Sequence, residues 1–132
     1  MTRVDVSVVI PVYQSANWIE RLTEGVVSAL ETIGGTYEIL LINDASPDLA
    51  TGEALDRIAR RRPSVRAVHL PKNAGQFLAT LHGLGLARGE LVVTMDDDFQ
   101  HPPGEIPTLV GAIVGRPHVD CVMGTFAVKQ HT

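Results

Sequence analysis

A chain of 132 residues with 45% hydrophobic and 20% charged residues has the composition of one soluble folded domain rather than of a disordered chain. The net charge of −4 argues against a general nucleic-acid binder, and no Lys/Arg-rich stripe with interleaved aromatics opposes that reading. The single cysteine, Cys121, permits no disulfide within the chain and is expected as a buried, inert thiol in a reducing compartment.

Val6–Val12 is a near-continuous Val/Ile run, as a strand covered on both faces requires. Pro11 near its end is expected to stop ladder pairing. Between Asn17 and Ile33, residues Ile19, Leu22, Val26, Ala29, Leu30 and Ile33 fall at helical spacing, with Asn17 and Glu20 as a capping pair and Gly34-Gly35 as the stop. A second buried strand follows over Tyr37–Ile42. Pro47 and Asp48 suit a helix start, and Leu55, Ile58 and Ala59 form its inward stripe up to Pro63. The basic cluster of Arg57 and Arg60-Arg61-Arg62 reads as the solvated end of that helix.

Val65–Leu70 is a third strand. Gly75–Ala87 is a helix opened by Asn73 as cap and closed by Gly89, with Leu78, Leu81 and Leu84 facing inward. Leu91–Met95 is a fourth strand, Glu105–Val114 a helix after Pro102-Pro103, and Val119–Gly124 a fifth strand. Regular alternation with short connections implies an α/β doubly wound, mostly parallel sheet flanked by helices, with right-handed crossovers. No repeat, linker, leader or membrane span is legible, so residues 1–132 read as a single domain.

In such sheets ligands sit at the carboxyl ends of the strands. The polar clusters Tyr13-Gln14-Ser15, Asn43-Asp44-Ala45-Ser46, Lys72-Asn73 and Asp96-Asp97-Asp98 all follow strands, so four loops are expected to converge on one edge. Three adjacent carboxylates repel, and solvent or a cation must offset their charge. In an extended segment Asp96 and Asp98 share one side and Asp97 takes the other. With Gln100 nearby they form an all-oxygen set suited to Mg²⁺ or Mn²⁺ and completed by phosphate oxygens.

The remaining candidates each carry two readings. Asp44 is an Asx turn or helix cap, or a carboxylate that accepts hydrogen bonds from a base or ribose. Tyr13 is a core aromatic or a platform beside a base. His101 ligates metal or packs beside Pro102. No GxGxxG follows the first strand and no GxxxxGK[ST] occurs, so neither a Rossmann dinucleotide site nor a P-loop is indicated.

The motifs Val8-Val9-Ile10-Pro11-Val12-Tyr13, Glu38–Ser46, Asn73-Ala74-Gly75 and Asp96–Asp98 occur in the order and spacing of the inverting family-2 glycosyltransferases, which this chain resembles over nearly its whole length. The Gln100-His101-Pro102-Pro103 tail resembles the polyprenyl-phosphate branch, which includes dolichyl-phosphate mannose synthase. The resemblance implies a GT-A, Rossmann-like fold and transfer of a sugar from a UDP- or GDP-linked donor to an acceptor, a lipid phosphate in that branch. It implies a nucleoside pocket lined by Pro11, Val12 and Tyr13, with Asn73 beside it and Asp44 on the base. It places Asp96 and Asp97 beside ribose and diphosphate, and makes Asp98 and Gln100, with Asp96 as a third, the ligands of Mg or Mn.

Within the resemblance, Gln14 stands where Asn is usual, Ser15 where Glu is frequent, Asn43 where a first Asp is common, Ala45 where Gly is usual and Asp97 where a small residue is frequent. The chain matches the N-terminal, nucleotide-binding part of such enzymes, so no catalytic base is assigned and slow turnover or none is expected of it alone. A cytoplasmic location, at the membrane face where a lipid acceptor lies, is expected, as is self-association through an open sheet edge. Two rival classes are a non-catalytic nucleotide-binding or assembly module and a Mg²⁺-binding receiver domain. A receiver carries its acidic pair after the first strand, where this chain has Pro-Val-Tyr.

Overall fold

In the computed structural model, which describes residues 4–122, the strand Val6–Val12 (β1) lies at the centre of a parallel four-stranded sheet. All seven of its residues are buried, which is why no polar alternation shows in the sequence. Tyr37–Asn43 (β2) and Leu91–Thr94 (β4) flank it, and Val65–His69 (β3) forms the far edge, giving the order β3-β2-β1-β4. The progression of strands across the sheet reverses between β1 and β4, the kind of switch point at which ligands bind beyond the carboxyl ends of the strands.

Pro11 ends pairing on one side only. It stays in register with Ile42 of β2, whereas the β1–β4 ladder stops at Val9↔Thr94, followed by the bond from Met95 N to Val9 O. Successive residues of a strand address opposite neighbours, so the missing N–H of Pro11 falls on the β4 side, where no ladder remains.

Ile19–Ile33 (α1) and Leu49–Arg61 (α2) cover one face, packing Leu22, Val26, Leu30, Leu55 and Ile58 against Val8, Ile10, Ile39 and Leu41. Gln76–Leu86 (α3) covers the other, where Ala79 meets Val9, Leu40 and Ile42. A 3-10 turn, Pro103–Glu105, leads into Ile106–Val114 (α4), whose Ile106 and Val110 join the α1 side.

Several expectations are corrected. Asn17 and Glu20 do not cap α1: Trp18 is its N-cap residue and makes no side-chain capping bond, and the Ser15 carbonyl accepts from Trp18 N and Ile19 N instead. Asp48 does cap α2, accepting from Thr51 N at 3.0 Å, and Thr51 holds its carboxyl below the usual carboxylate range. The arginines after it are not merely solvated: Arg61 reaches Glu20 at 2.6 Å, and Arg62 grips both oxygens of Glu24 at 2.6 and 3.0 Å, binding α2 to α1.

In α3 the leucines do not face inward. Leu78, Leu81 and Leu84 are exposed, and the buried positions are Ala79 and Gly83. A Cβ on Gly83 would come within 2.4 Å of Val9 Cγ1, so the helix lies too close to the sheet for large side chains on its inner face. Its N-cap residue is Gly75, and Asn73 bonds elsewhere. Val119–Val122 form no strand, the rest of the expected fifth strand lies outside the described residues, and Cys121 is exposed because no strand buries it.

Candidate functional site

The loops that leave β1, β2 and β4, and the one that enters α3, are stitched together at the carboxyl edge of the sheet by side chains bonding to main chain. After β2, the buried Asp44 (4% exposed) accepts Ala74 N at 2.7 Å on Oδ1 and Gly75 N at 2.9 Å on Oδ2. Asn73 Nδ2 donates to the Asp44 carbonyl and to its Oδ2. An ionised carboxylate receiving this many donors is a strong local anchor. Asp44 therefore fixes the loop before α3, which the Asx-turn and cap readings did not foresee.

Gln14 N donates to Ser46 Oγ at 2.9 Å, and Ser46 N donates to Asn43 Oδ1 at 3.0 Å, so the loops after β1 and β2 are joined. Asn43 Nδ2 lies 3.1 Å from His69 Nδ1, and His69 Nε2 lies 2.9 Å from Asp56 Oδ1. Since the Asn43 amide donates, the His69 proton sits on Nε2 and faces Asp56.

In the acidic loop the three carboxylates part company. Asp97 Oδ2 accepts Tyr13 N at 3.0 Å and the Ser15 hydroxyl, which also lies 3.1 Å from the Tyr13 carbonyl, and the Asp97 carbonyl accepts from Trp18 Nε1. Asp96 takes the Gln76 amide on Oδ1, and its own N–H donates to His101 Nδ1 at 3.1 Å. Asp98 is exposed, and its Oδ1 accepts Gln100 N at 3.1 Å in a tight turn. Asp96 and Asp97 thus bond to different elements, Asp96 to α3 and Asp97 to the loop between β1 and α1.

Backbone strain gathers in the same loops. Gln14 (φ 53°), Ala45 (φ 55°) and Phe99 (φ 63°) are the non-glycine residues with left-handed φ among the described residues, one in each loop after β1, β2 and β4. Such conformations persist where the surroundings over-determine them, and they concentrate at functional sites. The Phe99 ring lies 5.0 Å beneath the Arg21 guanidinium, which braces that turn against α1.

A cavity of about 260 Å³ lies between these loops, lined by Pro11, Val12, Tyr13, Asp44, Asn73 and Asp97 together with Gly75 and Gln76. Tyr13 is 44% exposed at its rim, which disposes of the core-aromatic reading. Asp96, Asp98 and Gln100 lie outside the lining, and Lys72 is exposed and also outside it. Gln76, Ser15, Ser46 and Trp18 were not singled out from the sequence as site residues. Ser15 and Ser46 carried a signal as members of the polar clusters after the first two strands, and Gln76 and Trp18 carried none beyond lying near the motifs.

A larger cavity, about 710 Å³, opens at the amino ends of the strands between Arg61, Arg62, Arg66 and Arg88. Arg61, Arg62 and Arg88 are engaged by Glu20, Glu24 and Glu38, and no strained loop borders it. The smaller cavity is the better candidate, because the convergent loops and the carboxylates are there.

Among the described residues no three His, Cys, Asp or Glu side chains cluster as a metal site. Asp96 Oδ2 lies 4.0 Å from His101 Nε2, Asp98 is exposed with its Oδ1 on Gln100 N, and Gln100, two positions on, is exposed as well. Two carboxylates and an amide suit a hard cation that takes its remaining ligands from phosphate and water. The donor set fits Mg²⁺ or Mn²⁺.

Residues 7–132 match the family model described as Glycosyl transferase family 2. The undecaprenyl-phosphate 4-deoxy-4-formamido-L-arabinose transferase of Edwardsiella ictaluri (strain 93-146) is 44% identical over 109 residues, covering 81% of this chain and 33% of that one. Its counterpart in Enterobacter sp. (strain 638) is 40% identical over 114 residues, with 83% and 35% coverage. The chain thus spans about a third of the length of these curated relatives. Among solved structures, the mannosyltransferase PcManGT from Pyrobaculum calidifontis, in complex with GDP-Man and Mn²⁺, superposes with a TM-score of 0.63 at 27% identity over 74% of this chain and 28% of that one. S. aureus TarS 1-349 gives 0.66 at 22% identity over 86% and 33%, a likeness of fold.

Proposed function

Because this chain belongs to glycosyl transferase family 2, we propose that it forms the nucleotide-sugar-binding part of an enzyme that moves a sugar from a nucleoside diphosphate to a polyprenyl phosphate with inversion. The observation that carries this reading is the cavity at the carboxyl edge of the sheet, with the acidic loop at its rim. The relatives at 40–44% identity are named for transfer involving undecaprenyl phosphate, which supports a lipid-phosphate acceptor. The GDP-Man and Mn²⁺ of the mannosyltransferase complex support a nucleotide-linked donor and a divalent ion.

In this reading Pro11, Val12 and Tyr13 receive the nucleoside, and Asn73 and Asp44 shape the opposite wall and approach the base. Asp96 and Asp98, with Gln100, hold Mg or Mn against the diphosphate. When bound, that ion supplies Lewis-acid stabilisation of charge building on the departing diphosphate. An acceptor phosphate oxygen is already anionic, so it attacks the anomeric carbon without a base from this chain, and the bond to the diphosphate oxygen breaks on the opposite face. No helix among the described residues is long and apolar enough to cross a membrane.

Calorimetry with UDP and GDP, with and without Mn²⁺, on the wild-type chain and Asp98→Ala tests the assignment. Binding of one nucleotide that strengthens with Mn²⁺ and loses that dependence in Asp98→Ala is expected. Binding indifferent to both metal and mutation overturns it.

A further inference from the structure

Asp97 is the acidic residue that a diphosphate or cation would find hardest to use. Its Oδ2 already receives the Tyr13 amide at 3.0 Å and the Ser15 hydroxyl, and Ser15 is fully buried. Its carbonyl receives the indole N–H of Trp18, the chain's one tryptophan, at the start of α1. These three bonds bridge 79 to 84 residues of sequence, and they land on both sides of Gln14, whose left-handed φ must be held by its surroundings. The bonds divide the run: Asp96 meets Gln76 at the start of α3, whereas Asp97 meets the loop between β1 and α1.

We propose that Asp97 is a positioning residue which clamps the β1–α1 loop and so sets the nucleoside wall formed by Pro11, Val12 and Tyr13, without ligating the cation. The proposal rests on the nucleotide-sugar reading for its functional consequence, while its structural content stands alone. It assigns the acidic run two tasks: Asp96 and Asp98 face the metal, and Asp97 faces the protein. Loss of the clamp releases Tyr13 and raises the cost of ordering the loop around a nucleoside.

The variants are Asp97→Ala, Asp97→Asn, which keeps one acceptor oxygen, and Ser15→Ala, which removes one donor from the clamp. Three measurements follow. In amide hydrogen exchange of the unliganded protein, the Tyr13 amide of Asp97→Ala should exchange at least about tenfold faster, with Ala74 and Gly75, held by Asp44, unchanged. In titrations with UDP and GDP, the nucleotide that the wild type binds should bind about tenfold more weakly to Asp97→Ala, and within about threefold of wild type to Asp97→Asn. In titrations with Mn²⁺ alone, Asp97→Ala should stay within about twofold of wild type, whereas Asp98→Ala loses binding.

An Asp97→Ala protein that loses Mn²⁺ as Asp98→Ala does overturns the proposal, because Asp97 is then a ligand. Unchanged Tyr13 exchange also overturns it. A wild-type chain that binds neither nucleotide overturns the nucleotide-sugar reading instead, and the exchange data still decide the clamp. If Asp97→Ala fails to fold, Asp97→Leu, which keeps the size of the side chain but offers no acceptor, carries the same comparisons, and wild-type exchange at Tyr13 in it defeats the clamp.

Discussion

Asp44 Oδ2 accepts the Gly75 amide at 2.9 Å, so the end of β2 holds the residue from which α3 begins, 31 positions later. The other oxygen takes Ala74 N, and the carboxylate is almost wholly shielded from water. One side chain thus fixes both a loop and the start of a helix.

Asp44→Ala leaves the Ala74 and Gly75 amides without their acceptors, and the unmet desolvation predicts a loss of about 2–4 kcal/mol. Asp44→Asn does not restore it, since one of its two polar atoms is a donor facing donors. Urea unfolding midpoints check both, and both variants should also bind nucleotide more weakly.

Ala45 and Gln14 hold left-handed φ angles of 55° and 53°, at the two positions where the resembling family usually carries Gly and Asn. Those residues adopt this conformation readily, whereas Ala pays about 1–2 kcal/mol. Ala45→Gly should therefore raise stability by up to about 1 kcal/mol despite the greater freedom of the unfolded chain, and Gln14→Asn by a few tenths. Thermal unfolding of the two variants checks this, and a destabilised Ala45→Gly would refute it.

Gly83 and Gly85 lie in the same helix and predict opposite outcomes. A Cβ on Gly83 would meet Val9 Cγ1 at 2.4 Å and Ile42 Cγ1 at 3.1 Å, so Gly83→Ala should cost about 1–3 kcal/mol. Nothing lies within 4 Å of a Cβ on Gly85, so Gly85→Ala should add about 0.5–1 kcal/mol through helix propensity. Denaturant midpoints of the pair check the close approach of α3 to the sheet.

Glu38 is buried at the amino edge of the sheet, where burial pushes its pKa up. Hydrogen bonds from Ser7 Oγ and Arg88 N, both at 2.6 Å, and the Arg88 charge outweigh burial and hold it below the usual 4.5. A folded-state pKa below the unfolded one contributes stability that is complete above the ordinary carboxylate range and lost as pH falls through the folded value. Glu38→Gln should be less stable than wild type at neutral pH, with the gap closing on acidification toward about pH 3. Melting temperatures across that interval check it, and a pH-independent gap would show that the charge contributes nothing.

The legibility of the fold differed from element to element. β1, β2 and the inward stripe of α1 could be read because their apolar spacing is a local property, and Val8, Ile10, Leu22 and Val26 are buried as that spacing requires. The face of α3 could not. Four large apolar residues, Phe77, Leu78, Leu81 and Leu84, outweigh Ala79 and Gly83 in any periodicity count, yet the small pair is what permits contact with Val9. The arginine cluster misled for a related reason: Glu20 and Glu24, which pair with it, lie about forty residues away in the chain.

The sequence by itself determined the order of strands and helices, the polar clusters at strand ends and the motifs that place the chain in its family, because each depends on neighbours within a few residues. The tertiary structure alone decided which carboxylates are held by donors from distant loops. Asp44 is committed to Ala74 and Gly75, Asp97 to Tyr13 and Ser15, and Asp98 remains exposed. A carboxylate has the same chemistry at all three positions; the partners of Asp44 and Asp97 lie 30 to 84 residues away, and only folding brings those donors within hydrogen-bond reach.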